Sequence, residues 1–213
     1  MEVSLKYVYI VLGWVLWCAF HSFLISITVT EYMKRTLGDG FRFYRLFYNA
    51  ASVTTLIPLI YYSRMIREEP VFSWVGPWMM VPVLLLTAAI SLFVVGGRHY
   101  SWAQLLGIAQ IRAGRADGSL SKGDSFVVSG LHRIIRHPWY LGGILIVWAQ
   151  DLSISTILTN MVISVYFIIG AVLEERKLVL EFGEQYREYQ QTVSMLFPWQ
   201  WLKAKIAAGR IRR

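Results

Sequence analysis

Two short polar stretches hold most of the residues able to do chemistry in this chain. The first is Gly130-Leu131-His132-Arg133-Ile134-Ile135-Arg136-His137-Pro138-Trp139-Tyr140-Leu141-Gly142-Gly143. The second opens with Glu174-Glu175 and continues to Phe182-Gly183-Glu184-Gln185-Tyr186-Arg187-Glu188-Tyr189. Pro138 lacks an N–H and has a fixed φ, which suits the first position of a helix. The unpaired N–H groups of that first turn favour an anion, and Arg136 and His137 just before it add cationic donors. Gly142 and Gly143 remove side chains, so a ligand or another helix can come close. An acidic or zwitterionic small molecule could dock its carboxylate here.

The second stretch supplies the opposite polarity. A carboxylate at Glu175 can accept hydrogen bonds from a ribose diol, as acidic residues do in dinucleotide sites. Glu175, Phe182, Tyr186, Tyr189 and Val193 recur at seven, four, three and four residues, which predicts one helical face. Aromatic rings on such a face can hold a ligand cation. Taken singly, each feature has a plain structural reading: an interfacial snorkelling pair, a solvated helix end, an aromatic belt. Their conjunction across one apolar stretch points to a site. His21 and Asn49, which sit within apolar runs, are further candidates, since ionisable groups inside a membrane lean toward function.

The elements that must position these residues follow from composition. Of the 213 residues, 56% are hydrophobic and only 16% charged, and a single cysteine, Cys18, excludes an internal disulfide. An ordinary soluble domain carries about 25% charge, so these values predict an all-α integral membrane protein. They argue against a disordered chain, a coiled coil and a DNA-binding module. The net charge of +8 is read as cytoplasmic-side Lys and Arg that attract anionic lipid, not as a nucleic-acid surface.

Uncharged runs locate the crossings. Tyr7–Thr30 is long enough for a first retained span. Leu46–Ser63 is a second, with Pro58 expected to kink it. In the third, Pro70 to Gly97, the early Pro and Gly residues predict a turn, leaving Trp78–Val95 to cross. The last, Pro138 to Leu173, is too long for one crossing and has Asp151 as its sole charge. Asp151 with Ser153 and Ser155 predicts a turn and N-cap between a short arm, Pro138–Gln150, and a longer one, Ser153–Leu173.

These arms make a helical hairpin and bring the total to about five transmembrane helices. Lys34, Arg35, Arg42 and Arg45 put the loop Glu31–Arg45 on the cytoplasmic side, as do the six Lys or Arg of the insert Arg98–His137. The basic residues Lys203, Lys205, Arg210, Arg212 and Arg213 belong on that side too. The outer loop carries Arg64 and Arg67 offset by Glu68 and Glu69. This organisation divides the chain into N-terminal membrane helices, 1–97, and a part carrying the chemistry, 98–213. In the second part, the insert would be a candidate lid over a cytoplasmic pocket.

The paired motifs resemble the isoprenylcysteine carboxyl methyltransferase superfamily. The resemblance rests on Arg136-His137-Pro138-Trp139-Tyr140-Leu141-Gly142, on Glu174-Glu175-x-x-Leu178 and on Phe182-Gly183-x-x-Tyr186-x-x-Tyr189, and covers roughly 126–198. That superfamily has phospholipid and methanethiol methyltransferase branches. Trp17, His21-Ser22 and Tyr44-Arg45-Leu46-Phe47-Tyr48-Asn49 are similar to the methanethiol and NnrU-like branch.

The resemblance implies S-adenosylmethionine as cofactor and no metal. It implies Arg136 and Glu175 as catalytic residues, with His137, Pro138, Tyr140, Gly142, Glu174, Glu175, Tyr186 and Tyr189 around the cofactor. His21 and Asn49 would line the acceptor's path. The acceptor would be a lipophilic or small thiol or carboxylate, with a phospholipid amine or a non-catalytic NnrU-like role as alternatives. The expected setting is a bacterial or archaeal cytoplasmic membrane, or the endoplasmic reticulum of a eukaryote, with membrane lipid as neighbour. Gly38-Asp39-Gly40 lacks the preceding strand that a Rossmann-type phosphate loop needs.

Overall fold

The computed structural model describes residues 2–66, 68–98, 101–113, 128 and 130–211. Parts of the insert Arg98–His137, including His99 and 114–127, therefore lie outside the described residues, as do Arg67, Arg212 and Arg213. The lid expectation falls partly on them. The elements in chain order are α1 (Glu2–Ile25), α2 (Ile27–Leu37), α3 (Tyr44–Met65), α4 (Met80–Gly97) and α5 (Trp102–Leu106). They continue with α6 (Ile108–Ala113), α7 (Pro138–Trp148), α8 (Ile154–Phe182), α9 (Glu184–Thr192) and α10 (Trp199–Ile211). Short 3₁₀ turns occupy Gly38–Phe43, Gly76–Met79 and Gly130–Arg133. Extended pairing among the described residues is limited to isolated bridges, so the all-α expectation holds.

Among the described residues, three helical stretches are long and apolar enough to cross a membrane: Leu5–Ile25, Gly76–Gly97 and Ile154–Phe182. At about 1.5 Å per residue each exceeds the roughly 30 Å of a hydrocarbon core. The α3 helix has 22 residues and runs unbroken through Pro58, but it is less apolar. The α7 helix has only 11.

The chain divides into two compact units. One comprises Met1–Ser73, Tyr100–Lys122 and Asp151–Ile163. In it α1 packs on α3 through indole donors: Trp14 Nε1 donates to Ser63 Oγ (3.1 Å) and Trp17 Nε1 to Thr55 Oγ1 (3.1 Å). The expected first span, Tyr7–Thr30, is not one helix, because Ser26 interrupts it between α1 and α2. Its hydroxyl donates to Phe23 O at 2.8 Å and accepts from Val29 N, ending α1 and capping α2. At the start of α8 the cap is Ser153, whose Oγ accepts from Thr156 N at 3.2 Å, while Glu68 accepts from Ser155 N. Of the expected capping residues Asp151, Ser153 and Ser155, it is Ser153 that caps the helix, joined by a carboxylate 87 positions before Ser155 in sequence.

The other unit comprises Trp74–His99, Gly123–Gln150 and Ser164–Arg213. Here α4 and α7 approach closely along glycines. A β-carbon built at Gly96 would come within 2.8 Å of Trp139 Nε1, and one at Gly142 within 2.9 Å of Phe93 Cε2. Backbone contact of this kind is how helices associate without a hydrophobic drive between them. The α8 helix runs past Leu173 to Phe182, so Glu174 and Glu175 lie inside it instead of at its foot. Arg176, Lys177, Leu178, Leu180 and Glu181 are good helix formers, and the stop comes only at Gly183, whose φ of 59° a side chain would resist.

Candidate functional site

The site is built within the second unit, where a short extended segment precedes α7. Gly130, at φ 53°, starts the turn Gly130–Arg133. Ile135 then bridges Ser194 in parallel, and the backbone N–H groups of Arg136 and His137 donate to Ser194 O (2.9 Å) and Met195 O (3.0 Å). This pairing fixes the segment against the chain leaving α9. His137, at φ −122° and ψ 68°, is outside the helical region that a following proline disfavours, and Pro138 opens α7.

Side chains 38 and 39 residues apart meet here. Arg136 donates through Nε to Glu175 Oε1 at 2.6 Å and through Nη2 to Oε2 at 3.2 Å. Its Nη1 donates to Gln190 O at 2.8 Å and also to Val193 O, closing the last turn of α9. His137 Nε2 lies 3.1 Å from Glu175 Oε1, and Nδ1 lies 3.6 Å from Glu174 Oε2. Gln190 Nε2 donates to Glu175 Oε2 at 2.7 Å. Glu175 thus takes donors from three residues and is buried, whereas the Glu174 side chain is 44% exposed.

Around this network the aromatic residues sort into two groups. Tyr140 stacks on His137 (5.3 Å between centroids, planes 10° apart) and on Phe167 (5.7 Å). Tyr186 and Tyr189 pack inward with Val193 against Leu178, Val179 and Phe182. Tyr189 Oη donates to His132 O at 2.6 Å. Burial, reinforced by the nearby Glu175 charge, pushes the Tyr186 hydroxyl well above its ordinary range, so it stays protonated. The expected stripe of one helix is in fact divided between α8 and α9 by Gly183, yet its members still cluster.

An open groove of about 490 Å³ runs beside the network. Val172, Val179 and Leu180 give it an apolar side, and Glu175, Arg187 and Gln190 a polar one. Gly142 faces Phe93 of α4, so its smallness serves helix packing.

His21 and Asn49 belong to the first unit. Tyr48 Oη lies 2.6 Å from His21 Nε2, Ser52 Oγ 3.1 Å from Nδ1, and Trp17 stacks on the imidazole at 5.0 Å. Asn49 Nδ2 and Arg45 Nε both donate to Leu105 O, at 2.9 and 3.2 Å. The segment Tyr44–Asn49 therefore ties α3 to α1 and α5, helped by Tyr44 Oη donating to Leu24 O at 2.7 Å.

Sequence reasoning did not find Gln190. It stands next to the noticed Tyr189, but no spacing rule marks a glutamine whose partners are 15 and 54 residues away.

Among the described residues, membrane-length apolar helices and an Arg–His–Glu network that joins the segment before α7 to α8 mark a helical membrane protein. The chain belongs to the NnrU family: the family model described as NnrU protein matches residues 9–196. Curated relatives include methanethiol S-methyltransferase 1 of Bradyrhizobium diazoefficiens, 44% identical over 70 residues, which are 32% of this chain and 25% of the relative. The methanethiol S-methyltransferase of Pseudomonas deceptionensis is 40% identical over 75 residues, 35% of this chain and 29% of the relative. That of Mycobacterium tuberculosis is 37% identical over 70 residues, 32% and 29% of the two chains. The similarity spans about a quarter to a third of these relatives' length. No solved structure matches the chain.

Proposed function

We propose that this protein is an S-adenosylmethionine-dependent membrane methyltransferase acting on a small thiol. The supporting observation is the buried meeting of Arg136, His137 and Glu175 beside an open, half-apolar groove, in a chain similar to proteins named methanethiol S-methyltransferases. In this reading α1, α3, α4, α7 and α8 make five crossings. The α7 and α8 helices form a hairpin whose cytoplasmic foot carries the site, and 98–213 is the catalytic part of the chain.

The donor set fits the cofactor. Its amino-acid carboxylate would meet the first turn of α7 or one of the groove's two arginines, Arg176 and Arg187. Its adenosine would lie on the apolar side of the groove. Glu175 is already held by Arg136, His137 and Gln190, so we assign the ribose diol to the more exposed Glu174. Glu175 then sets the positions of Arg136 and His137, and Tyr140 fixes the imidazole plane. Tyr186 and Tyr189 support this arrangement from beneath. S-adenosylmethionine, when bound, supplies an electrophilic methyl group on a sulfonium. The chain's own task is to orient that group and keep water from it, where proximity alone accounts for several kcal/mol. His21 and Asn49 are retained as candidates for the acceptor's path.

Purified protein in detergent should bind S-adenosylmethionine and transfer labelled methyl to methanethiol in preference to a prenylcysteine analogue or phosphatidylethanolamine. Absence of any cofactor affinity in folded protein would reject the enzyme reading. Transfer to another acceptor would reject only the thiol.

A further inference from the structure

We propose that α10 lies along an anionic lipid surface, seating the candidate site against the membrane face. This rests on the membrane reading of the chain and not on its chemistry. Trp199, Leu202 and Ile206 recur at three and four residues and so share one side of α10. Trp199 and Ile206 on that side are 56% and 59% exposed. Lys203 and Lys205 stand on either side of this apolar strip, and each ammonium lies over an indole, Trp199 at 5.3 Å and Trp201 at 5.7 Å. Phe197, just before the helix, is also exposed.

An apolar strip edged by lysines matches a headgroup boundary. The rings and Ile206 enter the acyl region, while the lysine stems reach back to phosphates. Charge selects the lipid. Residues 199–213 contain five Lys or Arg and no Asp or Glu, so zwitterionic headgroups leave this charge unanswered and anionic ones neutralise it.

The same helix is tied to the site. Gln200 N donates to Ser194 Oγ at 3.0 Å and Gln200 Nε2 to Gln191 O at 2.8 Å. Ser194 O in turn accepts from the backbone N–H of Arg136. Seating α10 therefore steadies the extended segment that carries Arg136 and His137.

The test is hydrogen exchange of the full-length protein, reconstituted in vesicles of phosphatidylcholine alone or of phosphatidylcholine mixed with phosphatidylglycerol. Amides of 199–211 should exchange about tenfold more slowly in the anionic vesicles, and high salt should reduce that difference. Each lysine near an anionic surface favours contact about fivefold, so Lys203→Glu with Lys205→Glu should abolish the difference. The gentler Lys203→Gln with Lys205→Gln should reduce it, and exchange in α8 should stay unchanged in both. Equal protection in the two lipids would overturn the proposal and place α10 against protein instead. Protection insensitive to charge reversal would overturn it as well.

Discussion

Arg136 grips Glu175 at two points, Nε to Oε1 at 2.6 Å and Nη2 to Oε2 at 3.2 Å, with about a tenth of each side chain exposed. Its remaining nitrogen closes the last turn of α9 on Gln190 O. One guanidinium thus joins three pieces of chain: the segment before α7, the middle of α8 and the end of α9. Removing one partner of a buried pair leaves the other charged and unanswered, at a cost of about 3–5 kcal/mol. Arg136→Ala and Glu175→Gln should both lower the unfolding midpoint in detergent by that order. Arg136→Lys should do little better, because a point charge cannot span both carboxylate oxygens and a carbonyl. A wild-type midpoint for Arg136→Lys would show that the two-point grip does not hold these pieces.

Glu174 offers a cleaner probe of the proposed cofactor. It is half exposed and touches the protein only at the long His137 contact among those described, so Glu174→Gln should leave the unfolding midpoint in place. If its carboxylate receives the ribose diol, losing a charged acceptor should cost about 1.5–3 kcal/mol of binding. The dissociation constant for S-adenosylmethionine, measured by calorimetry, should rise at least tenfold. Unchanged affinity would return the ribose to another residue while leaving the enzyme reading intact.

How much of this could be read from the residues alone depended on range. Uncharged length located the membrane-length helices, because exclusion of charge is a one-dimensional property. The Arg136–His137 and Glu174–Glu175 stretches stood out because polarity is rare in so apolar a chain. The break at Ser26 was hidden inside an uncharged run, since a serine bends a chain by a local hydrogen bond and not by charge. The role of Glu175 was hidden as well. Its accessibility depends on Gln190 and Arg136 arriving from separate elements, and no periodicity encodes that. The neighbours of His21 were hidden too, since Tyr48 and Ser52 reach it from another helix and Trp17 from its own.

Gly142 tests whether close helix approach, and not ligand access, explains the glycines of the motif. A β-carbon there would meet Phe93 at 2.9 Å and the Ala89 carbonyl at 3.4 Å. Gly142→Ala should therefore destabilise the α4–α7 pair by about 1–3 kcal/mol, the usual cost of overpacking. Gly40→Ala is the control, since its nearest neighbour would be Leu37 Cβ at 3.8 Å. It should leave the unfolding midpoint within experimental error. If both variants behave alike, the close approach carries no energetic weight.

Acid should act on the first unit through Glu68. Lys6 Nζ lies 2.6 Å from Glu68 Oε1, and Oε2 accepts from Ser155 N at 3.1 Å, so the carboxylate joins α1 to the first turn of α8. Burial raises the pKa of this carboxyl, but the hydrogen bonds from Lys6 and Ser155 outweigh it and hold the group down at about 2, against an ordinary 4.5. A carboxyl depressed in the folded state binds fewer protons there than in the unfolded chain. Its stabilisation is therefore complete above the unfolded value of 4.5 and disappears as pH falls from there toward 2. Glu68→Gln has no proton to take up, so its midpoint should lie below wild type near neutrality. The two curves should converge as the medium is acidified through that window. Parallel curves across the range would mean that Glu68 is not held by Lys6 and Ser155 in solution.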